Sequence, residues 1–67
     1  ELISINTNSE IKEVKMIDML GREINISINL TEDFTSQISL NQKCNSGVYL
    51  IIVETEKEVY YEKVVLR

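Results

Sequence analysis

Two apolar runs, separated by the five polar or charged residues Glu54 to Glu58, close this chain and leave few folds open to it. From Asn45 to Arg67 the sequence reads N-S-G-V-Y-L-I-I-V-E-T-E-K-E-V-Y-Y-E-K-V-V-L-R. Asn45-Ser46-Gly47 is a turn signal. Val48 to Val53 is apolar throughout, and Val59 to Leu66 is apolar-rich again. Runs of this length, rich in Val, Ile and Tyr and joined by a short polar link, predict a terminal β-hairpin. In the first run Tyr49, Ile51 and Val53 share one face, and Val48, Leu50 and Ile52 share the other. A strand apolar on both faces is central, with one face on the core and the other partly covered. The second run is less cleanly two-faced: Val59, Tyr61 and Val65 alternate with Tyr60, Glu62, Val64 and Leu66.

The preceding two thirds extend the same pattern. Leu2-Ile3-Ser4-Ile5-Asn6 reads as a short strand ended by the polar cluster Thr7-Asn8-Ser9. Glu10 to Leu20 is ambiguous: Ile11, Val14, Ile17 and Leu20 recur every third residue, while Val14-Lys15-Met16 alternates. Asp18-Met19-Leu20-Gly21, with Asp first and Gly fourth, has the chemistry of a type I turn. An alternating run follows at once, so a strand and a hairpin are the simplest reading. From Glu23 to Leu30, Ile24, Ile26, Ile28 and Leu30 alternate with Glu23, Asn25, Ser27 and Asn29, which predicts a strand with one buried and one wet face. Thr31 to Phe34 is a loop, Thr35 to Leu40 alternates again, and Asn41 to Ser46 is a polar connection. Six short strands joined by short polar links predict an all-β antiparallel sandwich.

Size and composition narrow the function. A chain of 67 residues is one small domain. At that size only about 60% of the unfolded surface is buried on folding. The single cysteine, Cys44, forms no disulfide within the chain, so stability comes from the core or from a larger parent protein. A formal net charge of −4 argues against nucleic acid, which needs clustered Lys and Arg, and against an anionic membrane surface. No segment is apolar enough to span a membrane. Glu1-Leu2-Ile3-Ser4 does not resemble a signal peptide, and the missing initiator Met suggests a piece of something longer.

The residues for catalysis are scarce. There is no histidine, hence no usual general base near neutral pH, no Ser-His-Asp set and no activator for Cys44. Cys44 reads as a passive loop residue. Zinc would need several Cys or His ligands. Neither Gly21 nor Gly47 lies in a phosphate-cradling motif. The adjacent Glu32 and Asp33, and Glu54, Glu56 and Glu58, read as solvated carboxylates rather than acid–base pairs. Tyr49, Tyr60 and Tyr61 read first as β-formers and only second as a binding surface. Asn25-Ile26-Ser27 and Asn29-Leu30-Thr31 match the glycosylation tripeptide, a pattern common by chance. No enzyme activity and no cofactor is expected.

Three stretches, taken in order, are similar to one family. Val14 to Ile24 has an apolar strand, Asp18, two variable residues, Gly21-Arg22 and a return strand. Ser46 to Val53 has Gly47-Val48-Tyr49 followed by aliphatics. Lys63-Val64-Val65 has a Lys followed by aliphatics near the end of the chain. Together they resemble the C-terminal sorting domain of bacterial type IX secretion (type A). The resemblance implies a seven-stranded Ig-like sandwich and a C-terminal signal on an exported cargo, carried through the periplasm to the cell surface or beyond. It implies the outer-membrane translocon and a sortase-like peptidase as partners, an upstream cargo domain, removal of the signal at the surface, and no catalysis. Asp18, Gly21, Arg22, Gly47, Tyr49 and Lys63 are the positions that match the motifs. The family's first strand follows an Asn-Pro segment, and this chain has no Pro. The chain is therefore expected to begin just inside the domain, near Leu2, which leaves a sheet edge free for edge pairing into a homodimer. The tyrosines and the all-β pattern also admit a second reading, an Ig-like or fibronectin-like module of a secreted protein that binds carbohydrate or protein.

Overall fold

The computed structural model describes residues 2–31 and 34–67. Within them lie six strands and no helix: β1 Leu2–Asn6, β2 Ile11–Ile17, β3 Ile26–Leu30, β4 Thr35–Leu40, β5 Gly47–Thr55 and β6 Val59–Leu66. They form two three-stranded antiparallel sheets, ordered β1-β4-β3 and β2-β5-β6. The sheets face each other as a sandwich. Met16, Ile51 and Val53 of one sheet and Ile38 of the other are completely buried, in a core that includes Ile5, Ile11, Val14, Ile24, Tyr49 and Leu66.

The terminal hairpin is β5–β6. Its eight paired positions run from Gly47↔Leu66 to Glu54↔Val59. Thr55 closes the turn: its Oγ1 accepts the amides of Lys57 and Glu58 at 3.2 Å each and donates to the Glu58 carbonyl at 3.1 Å. Strand β5 is the centre of its sheet, as its two apolar faces require. Tyr49, Ile51, Val53 and Thr55 are buried, while Leu50 and Ile52 on the outer face are half-buried.

Two expectations are corrected. First, the Asp18 turn forms, but β2 and β3 do not pair along their lengths. After one bridge, Ile17↔Glu23, the chain leaves its sheet and β3 pairs with β4 in the other. The switch is favoured by Ile24, whose side chain is buried between the sheets while its amide still bonds the Met16 carbonyl at 2.8 Å. Second, the alternating face of Ile24, Ile26, Ile28 and Leu30 is not wholly buried. Ile24 is buried and Ile26 packs on the core, but Ile28 is 41% and Leu30 54% exposed. Both point to the core side, since Ile28 lies opposite the fully buried Ile38. Strand β3 is an edge, and a depression of about 410 Å3 lined by Ile11, Leu30 and Phe34 lies beside it, where none of the described strands covers it. Alternation fixed the side of the sheet; sheet order decided the coverage. Glu32 and Asp33 lie outside the described residues.

Candidate sorting surface

The first motif is a tight loop built by one carboxylate. The Gly21 amide donates to the Asp18 carbonyl at 3.0 Å, and the Asp18 amide to the Arg22 carbonyl at 2.9 Å. Asp18 Oδ1 accepts the amides of Leu20 and Arg22, both at 2.9 Å. Arg22 Nε donates to Asp18 Oδ2 at 2.7 Å. Gly21 sits at φ +84°, the left-handed conformation that ends a three-residue hairpin loop and favours Gly. The Arg22 amide above all, with the guanidinium beside it, holds the Asp18 carboxyl below its ordinary pKa, against a smaller opposing effect of burial. With Asp18 and Gly21 absorbed in holding the loop, Met19 and Leu20 stand at its tip, 72% and 79% exposed.

The second motif comes to the same place. Gly47 starts β5 at φ +150°, a conformation that L side chains rarely adopt. Tyr49 is buried, and its hydroxyl donates to the Asn45 carbonyl at 2.8 Å, tying the preceding loop to the strand. Asp18, Met19 and Leu20 line one depression of about 220 Å3 with Gly47, Val48 and Tyr49. Beside it a second, of about 260 Å3, has Arg22 and Lys43 in its lining along with Cys44 and Tyr49. That loop is tied to the β2–β3 crossing by the Asn25 amide on Gln42 Oε1 and the Asn41 amide on the Asn25 carbonyl, each 2.9 Å.

The third motif residue, Lys63, is on a different side of the same end. It is exposed on the outer face of β6, opposite Leu50, which is opposite Ile17, the residue before Asp18. Thus Asp18, Gly21, Arg22, Gly47 and Tyr49 converge, and Lys63 stands one row away on the outward face. The tyrosines do not make a shared platform. Tyr49 and Tyr60 lie on the inner side of their strands, and Tyr61 is 63% exposed on the outer side. The Tyr60 hydroxyl bonds Glu58 Oε1 at 2.7 Å, which raises its pKa.

Sequence reasoning passed over Met19 and Leu20 as variable positions. The available signal was their type: the middle of a turn ordinarily holds Gly, Pro, Asn, Asp or Ser, and here it holds two large apolar residues.

This small domain of two three-stranded sheets thus brings five of its six motif residues to one end. The whole chain, residues 1–67, matches the family model described as the secretion system C-terminal sorting domain, and it belongs to that family. It is therefore a sorting signal for type IX secretion, which directs a cargo protein toward the cell surface or outside. No curated protein and no solved structure gives a significant match to the chain.

Proposed function

We propose that the export machinery reads this domain at the end where the Asp18–Arg22 loop meets Gly47–Tyr49, while the cargo is in the periplasm. The outer-membrane translocon and a sortase-like peptidase are its partners, and the peptidase removes the domain at the surface. The domain itself is non-catalytic. The observation that supports this reading most is convergence: two stretches that lie far apart in sequence, and that carry the family pattern, line one depression. Around it Asp18, Gly21 and Gly47 serve the backbone, and Met19, Leu20 and Val48 are on display.

The test is delivery of a cargo that carries the domain. Met19→Ser with Leu20→Ser changes side chains that are mostly in water, so folding should hold while surface delivery falls and cargo collects in the periplasm. Deleting Tyr60 to Arg67 should trap cargo as well, because it removes β6 with the buried Leu66. Normal delivery of the Met19/Leu20 variant would refute this location for the recognition surface. Normal delivery of the truncation would count against the sorting role of the domain.

A further inference from the structure

The two outer faces of this sandwich differ in kind. Outside β1-β4-β3 the strands present Ser4, Asn6, Ser27, Asn29, Gln37 and Ser39, a mostly wet surface with Leu2 exposed at the start of β1. Outside β2-β5-β6 the register sets four rows. From the Asp18 end these are Val48 with Val65, then Ile17-Leu50-Lys63, then Lys15-Ile52-Tyr61, and last Glu13-Glu54-Val59. Val65 is 49%, Tyr61 63% and Val59 50% exposed. The face is an apolar stripe with charges along it. Among its paired positions Lys15 and Lys63 lie in the middle rows toward the Asp18 loop and Glu13 and Glu54 in the last row, with the exposed Lys12 in the bulge beside Glu13.

We propose that this face, continuous with the Met19–Leu20 tip, docks into an apolar groove on a protein of the export machinery. That groove carries carboxylates where it meets Lys15 and Lys63, and donors of positive charge where it meets Glu13 and Glu54. The proposal rests on the sorting role and names the chemistry of the partner. A face with both signs arranged in order selects a partner with the complementary order, because like charges brought together are costly. An anionic lipid surface has one sign throughout, and it would attract the lysines while repelling Glu13, Glu54 and a chain of net charge −4. A second copy turned end for end matches the charges, yet it sets each apolar Met19–Leu20 tip against the charged Glu56–Glu58 turn. A protein groove is the occupant that covers stripe and tip together.

The experiment uses the full cargo protein in a type IX secreting bacterium, with Lys15→Glu/Lys63→Glu and a domain deletion side by side. Both substituted side chains are exposed, so the double variant should keep the melting temperature of the parent. Its surface delivery should fall about tenfold, the scale by which rim charges change association. Purified parent should neither sediment with phosphatidylglycerol vesicles at physiological salt nor form a dimer in sedimentation analysis. Vesicle binding that the double variant loses would overturn the proposal in favour of lipid. A dimer that it loses would do so in favour of self-association. If the double variant is delivered normally while the deletion retains cargo, the charged docking face is wrong and the sorting role stands. If the deletion too is delivered normally, both fall.

Discussion

Tyr49 carries two separable contributions, and the structure assigns a size to each. Its ring is 7% exposed among Ile51, Val53 and the rest of the core, and its hydroxyl makes one bond of 2.8 Å to the Asn45 carbonyl. Tyr49→Phe keeps the ring and removes only the bond, at a net loss of about 1 kcal/mol. Tyr49→Ala removes the ring and leaves a cavity, at about 3–5 kcal/mol. A chain of 67 residues at about 0.05–0.15 kcal/mol per residue has roughly 3–10 kcal/mol in all. The alanine variant therefore stands near the unfolding threshold, and the phenylalanine variant stays folded. Thermal unfolding followed by far-UV circular dichroism separates them. Tyr49→Phe should melt about 4–8 °C lower than the parent, and Tyr49→Ala should show little or no cooperative transition near 37 °C. If Tyr49→Phe melts within about 1 °C of the parent, the bond to Asn45 contributes nothing and the hydroxyl has no structural role. If it unfolds as badly as Tyr49→Ala, the division between ring and hydroxyl is wrong.

Three further outcomes follow from the same geometry. The Ser36 side chain is fully buried, and its Oγ has no hydrogen-bond partner among the described residues, so Ser36→Ala should raise stability by about 1 kcal/mol in urea titration; a loss of that size would show that the hydroxyl is satisfied. The folded pKa of Asp18 is lowered, so its stabilisation is complete above the unfolded value near ~4 and is lost as pH falls through the folded value. Asp18→Asn should therefore melt below the parent at about pH 6, and the gap should close toward about pH 2; a constant gap would sink the assignment. Gly21 lies at φ +84° and Gly47 at φ +150°, with open space around both Cβ positions, so only conformation resists substitution. Gly21→Asn should cost little, because Asn tolerates the left-handed region, whereas Gly47→Asn should cost about 1–3 kcal/mol by denaturant titration.

Much of the architecture was legible because period-two patterns and turn chemistry are local. The β5–β6 hairpin, the central place of β5 and the short β1 and β4 follow from residues within each segment. The β3 misreading has the opposite origin. Ile26, Ile28 and Leu30 state which side of the sheet is apolar, but nothing within the segment states whether another strand lies above that side. That depends on sheet order, and so does the change of sheet after Glu23, which a hairpin signal does not anticipate. The candidate surface was legible in part for the same reason. Asp18, Gly21 and Gly47 announce themselves by turn chemistry. Their proximity arises from the pairing of β2 with β5, in which Ile17 meets Leu50, a contact far apart in sequence.

The motif residues thus divide by what their atoms are free to do. Asp18 has both oxygens engaged by its own loop, Gly21 and Gly47 contribute backbone conformations, and the Tyr49 hydroxyl is already bonded. None of these presents an unused group to a partner. Arg22 is different: its side chain is 74% exposed and only Nε is engaged by Asp18. Lys63, Met19, Leu20 and Val65 are likewise exposed. A pattern such as Asp-x-x-Gly-Arg combined with Gly-x-Tyr therefore describes chiefly the means of holding an end of the sandwich in one shape. On the proposed location of the recognition surface, substitutions in the pattern should act by disordering that end, and they should lower stability and delivery together. Substitutions at the displayed residues should lower delivery alone. Measuring both quantities on the same variants is what separates the scaffold of the signal from the signal.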